Sequence, residues 1–100
     1  MKTGIQLIEM ERAEQILKHG YDPNFVHENP QYYSDGQLAV AAEMLIASEH
    51  EEGIDRNSYP ENWPDEDCIK MLNKPYVERL AVAGALIAAE IDRLNDHRNR

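Results

Sequence analysis

The chain has 100 residues, of which 19 are acidic and 10 basic, giving a formal charge of −9 and a hydrophobic fraction of 42%. That length predicts a single helical domain over residues 1–100, frayed from about residue 96, with a core small enough for a second subunit to help cover it. The acidic balance repels nucleic-acid backbones and argues against DNA or RNA. With Cys68 as the lone cysteine, without a leader sequence and without an apolar run of about 18 residues, the chain reads as cytoplasmic and not membrane-bound.

The pattern predicts an all-α fold: a small bundle of three long helices plus one short helix, with two ordered loops. The first helix starts at Thr3-Gly-Ile-Gln6, which has the form of a capping box, and stops at His19-Gly20. Ile5, Ala13, Ile16 and Leu17 form its expected apolar face, with Ile8 at one margin. Arg12 lies between Ile8 and Ile16, and Gln15 and His19 follow along the same edge. Two readings stay open there: Arg12 snorkels over the rim and pairs with an acid, or Arg12 and Gln15 face a polar pocket.

Residues 21–33, YDPNFVHENPQYY, carry turn chemistry without helical period and are expected to form an ordered loop pinned by Tyr21, Phe25 and Tyr32. His27 in it reads as a solvated or hydrogen-bonding side chain before it reads as a ligand. Ser34-Asp-Gly-Gln37 predicts a second capping box and a helix running to Gly53. Leu38, Ala41, Ala42 and Leu45 make its core stripe, with Ala39, Glu43 and Ala47 across from it. A carboxylate such as Glu43 among alanines must be paired or lie at a pocket. The run Glu49-His-Glu-Glu52 reads as a solvated helix end.

A second loop spans residues 53–63. Pro64-Asp-Glu-Asp67 then opens a short helix through Leu72, with acids where the helix dipole favours them. Trp63 is expected to hold this loop to the core. Asn73-Lys-Pro75 breaks the chain before the last helix, Pro75 to about Asn95. Its stripe of Val77, Leu80, Gly84, Ile87, Ile91 and Leu94 is the expected core face. The opposite face, with Arg79, Ala83, Leu86, Glu90 and Arg93, is the expected place for a ligand or partner. Glycine at 84 implies a close neighbour, and apolar or small residues on both faces predict at least a dimer.

Chemical motifs are few. Glycine-rich phosphate loops, zinc-type cysteine pairs, His-Glu-x-x-His and nucleophile elbows are all missing. A magnesium hydrolase needs carboxylates converging from facing helices; Glu49 and Glu52 have a suitable spacing, but Glu90 and Asp92, two residues apart, point about 160° apart on a helix.

The segments Glu11-Arg12-x-x-Gln15-Ile16, Gly20-Tyr21, Asp35-Gly36-x-Leu38-Ala39-x-Ala41-Ala42, Trp63-Pro64, Lys74-Pro75 and Arg79-Leu80-x-x-Ala83-Gly84-Ala85-Leu86-Ile87-x-Ala89-Glu90-Ile91-x-Arg93-Leu94 resemble a group of small phage and prophage proteins. The resemblance covers essentially the whole chain and implies residence in the cytoplasm of an infected bacterium. More distantly, the Glu-Arg-x-x-Gln-Ile start and alanine-rich last helix are similar to MazG-like nucleotide pyrophosphohydrolases, which are all-helical, oligomeric and magnesium-dependent. Their metal-binding Glu-x-x-Glu and Glu-x-x-Asp pair is not complete here.

By analogy with phage sponges that sequester ADP-ribose-like or cyclic-nucleotide immune signals, the leading expectation is a binding protein for a nucleotide-derived small molecule, acting without catalysis or cofactor. Arg12, Lys74 and Arg79 would take phosphates, Gln15 with Glu43 or Glu90 would take ribose or base, and Tyr21 or Trp63 would stack. One alternative is a magnesium-dependent nucleoside triphosphate pyrophosphohydrolase using Glu43, Glu49, Glu52 and Glu90. Another is a structural or protein-interaction module whose inner charges serve only salt bridges.

Overall fold

The computed structural model describes residues 1–20, 22–47 and 56–96, and every regular element among them is a helix. Helix α1, Gly4–Leu17, starts at the expected capping box: the Thr3 hydroxyl accepts from the Gln6 N–H at 3.2 Å, and the Gln6 side chain accepts from the Thr3 N–H at 2.8 Å. Past its end, Gly20 takes the left-handed conformation (φ +72°) that ends a helix without a Cβ clash. The buried side of α1 differs from expectation. Gln15 is buried and Ile8, Arg12 and Ile16 are partly covered, whereas Ile5, Ala13 and Leu17 are exposed. The contact of α1 is with the last helix, where Ile8 is seated, so the residues in register with Ile8 are carried inward.

Residues expected to form one loop instead contain two short helices, α2 (Pro23–Glu28) and α3 (Pro30–Tyr33). Each has proline in its first turn, just after an Asp or Asn, and the Asp22 carboxylate caps α2 by accepting from the Phe25 N–H at 2.9 Å. Tyr33 is the buried anchor, with Phe25 and Tyr32 partly exposed beside it; Tyr21 lies outside the described residues.

Helix α4, Gln37–Ala47, is not capped by Ser34. The Ser34 hydroxyl donates back to the Pro30 carbonyl at 2.6 Å, closing α3, and Gly36 (φ +79°) turns the chain. The Gln37 side chain, itself buried, accepts from the Asp35 N–H at 2.7 Å and donates to the Gln31 carbonyl at 3.1 Å. The stripe Leu38, Ala41, Ala42 and Leu45 is buried as predicted, while Glu43 is exposed. The expected continuation to Gly53, with Glu49 and Glu52, lies outside the described residues.

A single 3-10 turn, Arg56–Ser58, leads toward α5, Asp65–Leu72, whose first turn carries Asp65, Glu66 and Asp67. Arg56 pairs with Asp65 at 2.8 Å. Cys68 on α5 is fully buried, and burial pushes its thiol pKa upward, which makes it a poor nucleophile.

Helix α6, Tyr76–Asn95, has the expected extent but the opposite orientation. Arg79, Val82, Ala83, Leu86 and Ala89 are buried, while Val77, Leu80, Ile87, Ile91 and Leu94 are exposed. Size explains the reversal. α4 offers Ala41 and Ala42 between Leu38 and Leu45, and α6 meets it mainly with small side chains, so the two backbones approach closely; the stripe of larger side chains would hold them apart. No described helix is long and apolar enough to cross a membrane.

Candidate functional site

A cleft of about 530 Å³ opens between α1, the α2–α3 segment and α5, with Val82 and Leu86 of α6 among its lining. Its aromatic wall is built around Tyr33. The Tyr33 ring lies 5.9 Å from Phe25, 6.3 Å from Tyr32 and 6.1 Å from Trp63, in tilted or edge-on arrangements that aromatic pairs favour. Two hydrogen bonds stitch the loop before α5 to the backbone of α3. Asn62, at φ +70°, donates to the Gln31 carbonyl at 2.8 Å, and the Trp63 indole N–H donates to the Tyr32 carbonyl at 2.7 Å. The wall is therefore fixed before any ligand arrives.

The polar lining comes from two directions. Glu11, Glu14 and Gln15 come from α1 and His19 from the turn past its end, while Asp67, Lys70 and Lys74 come from α5 and the segment after it. Burial, and then the neighbouring Glu14 charge, raise the Glu11 pKa; Lys74 opposes them. Lys74 also reaches Glu78 at 3.4 Å. Carboxylates and ammonium groups in one cleft suit a ligand carrying both hydrogen-bond donors and anionic groups.

Of the residues singled out in the sequence, the cleft brings together Gln15, Trp63 and Lys74. Arg12 is not in its lining; its guanidinium pairs with Asp92 at 2.9 Å and reaches the Gln15 side-chain oxygen at 3.4 Å, which orients that amide. Buried Arg79 donates from Nε to the Lys74 carbonyl at 2.9 Å and lies over the Tyr76 ring, 5.1 Å from its centroid. Glu90 is held by Arg93 through two nitrogens, Glu43 is exposed, and Tyr21 lies outside the described residues. Among the described residues, the lysines that line the cleft are Lys70 and Lys74.

Sequence reasoning passed over Lys70, Glu11, Tyr33 and Asn62. The edge formed by Glu11, Gln15 and His19 was a usable signal; the pairing of Asn62 with α3 depends on a distant contact and left no local trace.

No family model, curated protein or solved structure matches this chain.

Chemically, the cleft can hold and orient. Its aromatic wall offers ring contacts, Gln15, Asn29 and Asn62 offer amides, and the lysines offer charge-assisted hydrogen bonds to an anion. Among the described residues, no three His, Cys, Asp or Glu side chains converge in a way that would hold a metal ion.

Proposed function

We propose that this protein binds a nucleotide-derived small molecule in the cleft and releases it unchanged, in the manner of a phage sponge for an ADP-ribose-like or cyclic-nucleotide immune signal. The observation that carries this reading is the pairing of a preorganised aromatic wall around Tyr33 and Trp63 with Lys70 and Lys74 in one 530 Å³ space. A base or nicotinamide-sized ring sits against the aromatics, phosphates take the lysines, and ribose hydroxyls donate to Glu11 or Glu14. Gln15, set by Arg12, supplies a directional contact. The protein also works as a homo-oligomer in this reading.

The scaffold reading has a specific observation in its favour: Arg12, Arg79 and Arg93 are all engaged by groups of the protein itself. One experiment separates the readings. The protein is melted with ADP-ribose, cyclic nucleotides and nucleoside triphosphates, with and without magnesium, and the ligand is then recovered. Binding predicts a higher melting temperature with one nucleotide class and recovery of that nucleotide intact. Magnesium-dependent release of pyrophosphate would instead support the hydrolase, and indifference to every nucleotide would leave the scaffold.

A further inference from the structure

The outer side of α6 is uncharged along its whole length and is spaced for another helix. Val77, Leu80, Gly84, Ile87, Ile91 and Leu94 follow steps of three, four, three, four and three, which is the a and d pattern of a two-stranded seam, narrower than the stripe a helix turns toward a globular core. The broader face of α6 is used against α4, and α1 crosses α6 at Gly84, where Ile8 is seated, so Val77, Leu80, Ile87, Ile91 and Leu94 are the part of the seam that the fold leaves uncovered. Val77 is 65%, Leu80 40%, Ile87 45%, Ile91 52% and Leu94 56% exposed.

We infer that this seam is the interface for a second copy of the chain, joined helix to helix through α6. Five side chains exposed to this degree present on the order of 400–500 Å² of apolar surface, and pairing two copies removes about twice that, near the threshold of about 1,000 Å² for a specific interface. Charge favours a like partner as well. The accessible flanking positions Tyr76, Ala88 and Asn95 are neutral, and Glu90 is matched within its own helix by Arg93, so two chains of charge −9 meet here without opposing like charges. A basic partner would find nothing along the seam to recognise.

The test is the mass of the intact protein by light scattering and sedimentation between about 1 and 200 µM. The expected result is a dimer, with Ile87→Glu and Ile91→Glu each weakening association at least a hundredfold while circular dichroism keeps the helical signal of the parent. Ile69→Glu, at an exposed site on α5, leaves the dimer intact. Should either α6 variant lose its fold, Leu80→Lys replaces it, and cross-linking through Leu94→Cys in an otherwise parental chain reports whether two α6 helices are adjacent. A monomeric parent throughout that range, or a dimer indifferent to every α6 substitution, overturns the inference.

Discussion

Ile8 of α1 fills the space that a side chain at Gly84 of α6 would need: a Cβ added to Gly84 would lie 2.6 Å from Ile8 Cδ1 and 2.7 Å from Cγ1. This contact fixes where α1 crosses α6, and through it which edge of α1 faces the cleft. Alanine at 84 gains roughly 1 kcal/mol of helix propensity but forces an overlap costing about 1–3 kcal/mol. Gly84→Ala should therefore lower stability by about 1 kcal/mol in the parent and raise it by a similar amount in an Ile8→Ala background. Denaturant melts of the four proteins check the sign change; the same sign in both backgrounds would refute the contact.

Arg79 is predicted to stabilise the fold. Its substitution by alanine removes a charged hydrogen bond to the Lys74 carbonyl and a ring contact with Tyr76, together about 2–3 kcal/mol. For a domain of this size that lowers the melting temperature by on the order of 10 °C. Arg79→Lys keeps the charge but lacks the Nε donor, and should recover only part of the loss. A fully stable Arg79→Ala variant would contradict this role.

The contrast between α4 and α6 shows what the sequence could convey. The α4 stripe is legible because Leu38 and Leu45 flank alanines while the other side carries Glu43. On α6 both sides are apolar, and hydropathy alone favours the bulkier one; the choice was made by the alanines of α4, which reward close backbone approach. Thr3 and Gly20 announced the ends of α1, yet its buried face follows from Ile8 meeting Gly84, a tertiary fact. Asp22-Pro23 and Asn29-Pro30 were readable as turns or as cap and first helical residue, and tertiary anchoring by Tyr33 goes with the second outcome. The cleft was legible only at Gln15, Trp63 and Lys74, because its other walls are brought together by chain segments far apart in sequence.

Glu11 gives the protein a pH dependence of definite sign. Its folded-state pKa is raised above the ordinary value of 4.5, chiefly by burial, so the folded protein binds more protons than the unfolded chain in the window just above that value. Its contribution to stability falls as pH rises through this window. Glu11→Gln, which mimics the protonated form, should be more stable than the parent at pH 7, with the difference vanishing below about pH 4. Paired melting curves across that range check this, and a variant less stable at pH 7 would reverse the sign.

Trp63, the sole tryptophan, lies in the cleft wall and is its own reporter. Titrating the parent with ADP-ribose, cyclic nucleotides and nucleoside triphosphates while following Trp63 emission tests nucleotide binding most directly. The expected result is a saturable change with one nucleotide class, weakened about tenfold or more by either Lys70→Ala or Lys74→Ala, since each charge-assisted contact is worth about 1.5–3 kcal/mol. No change with any nucleotide, or binding that neither lysine substitution affects, would contradict it.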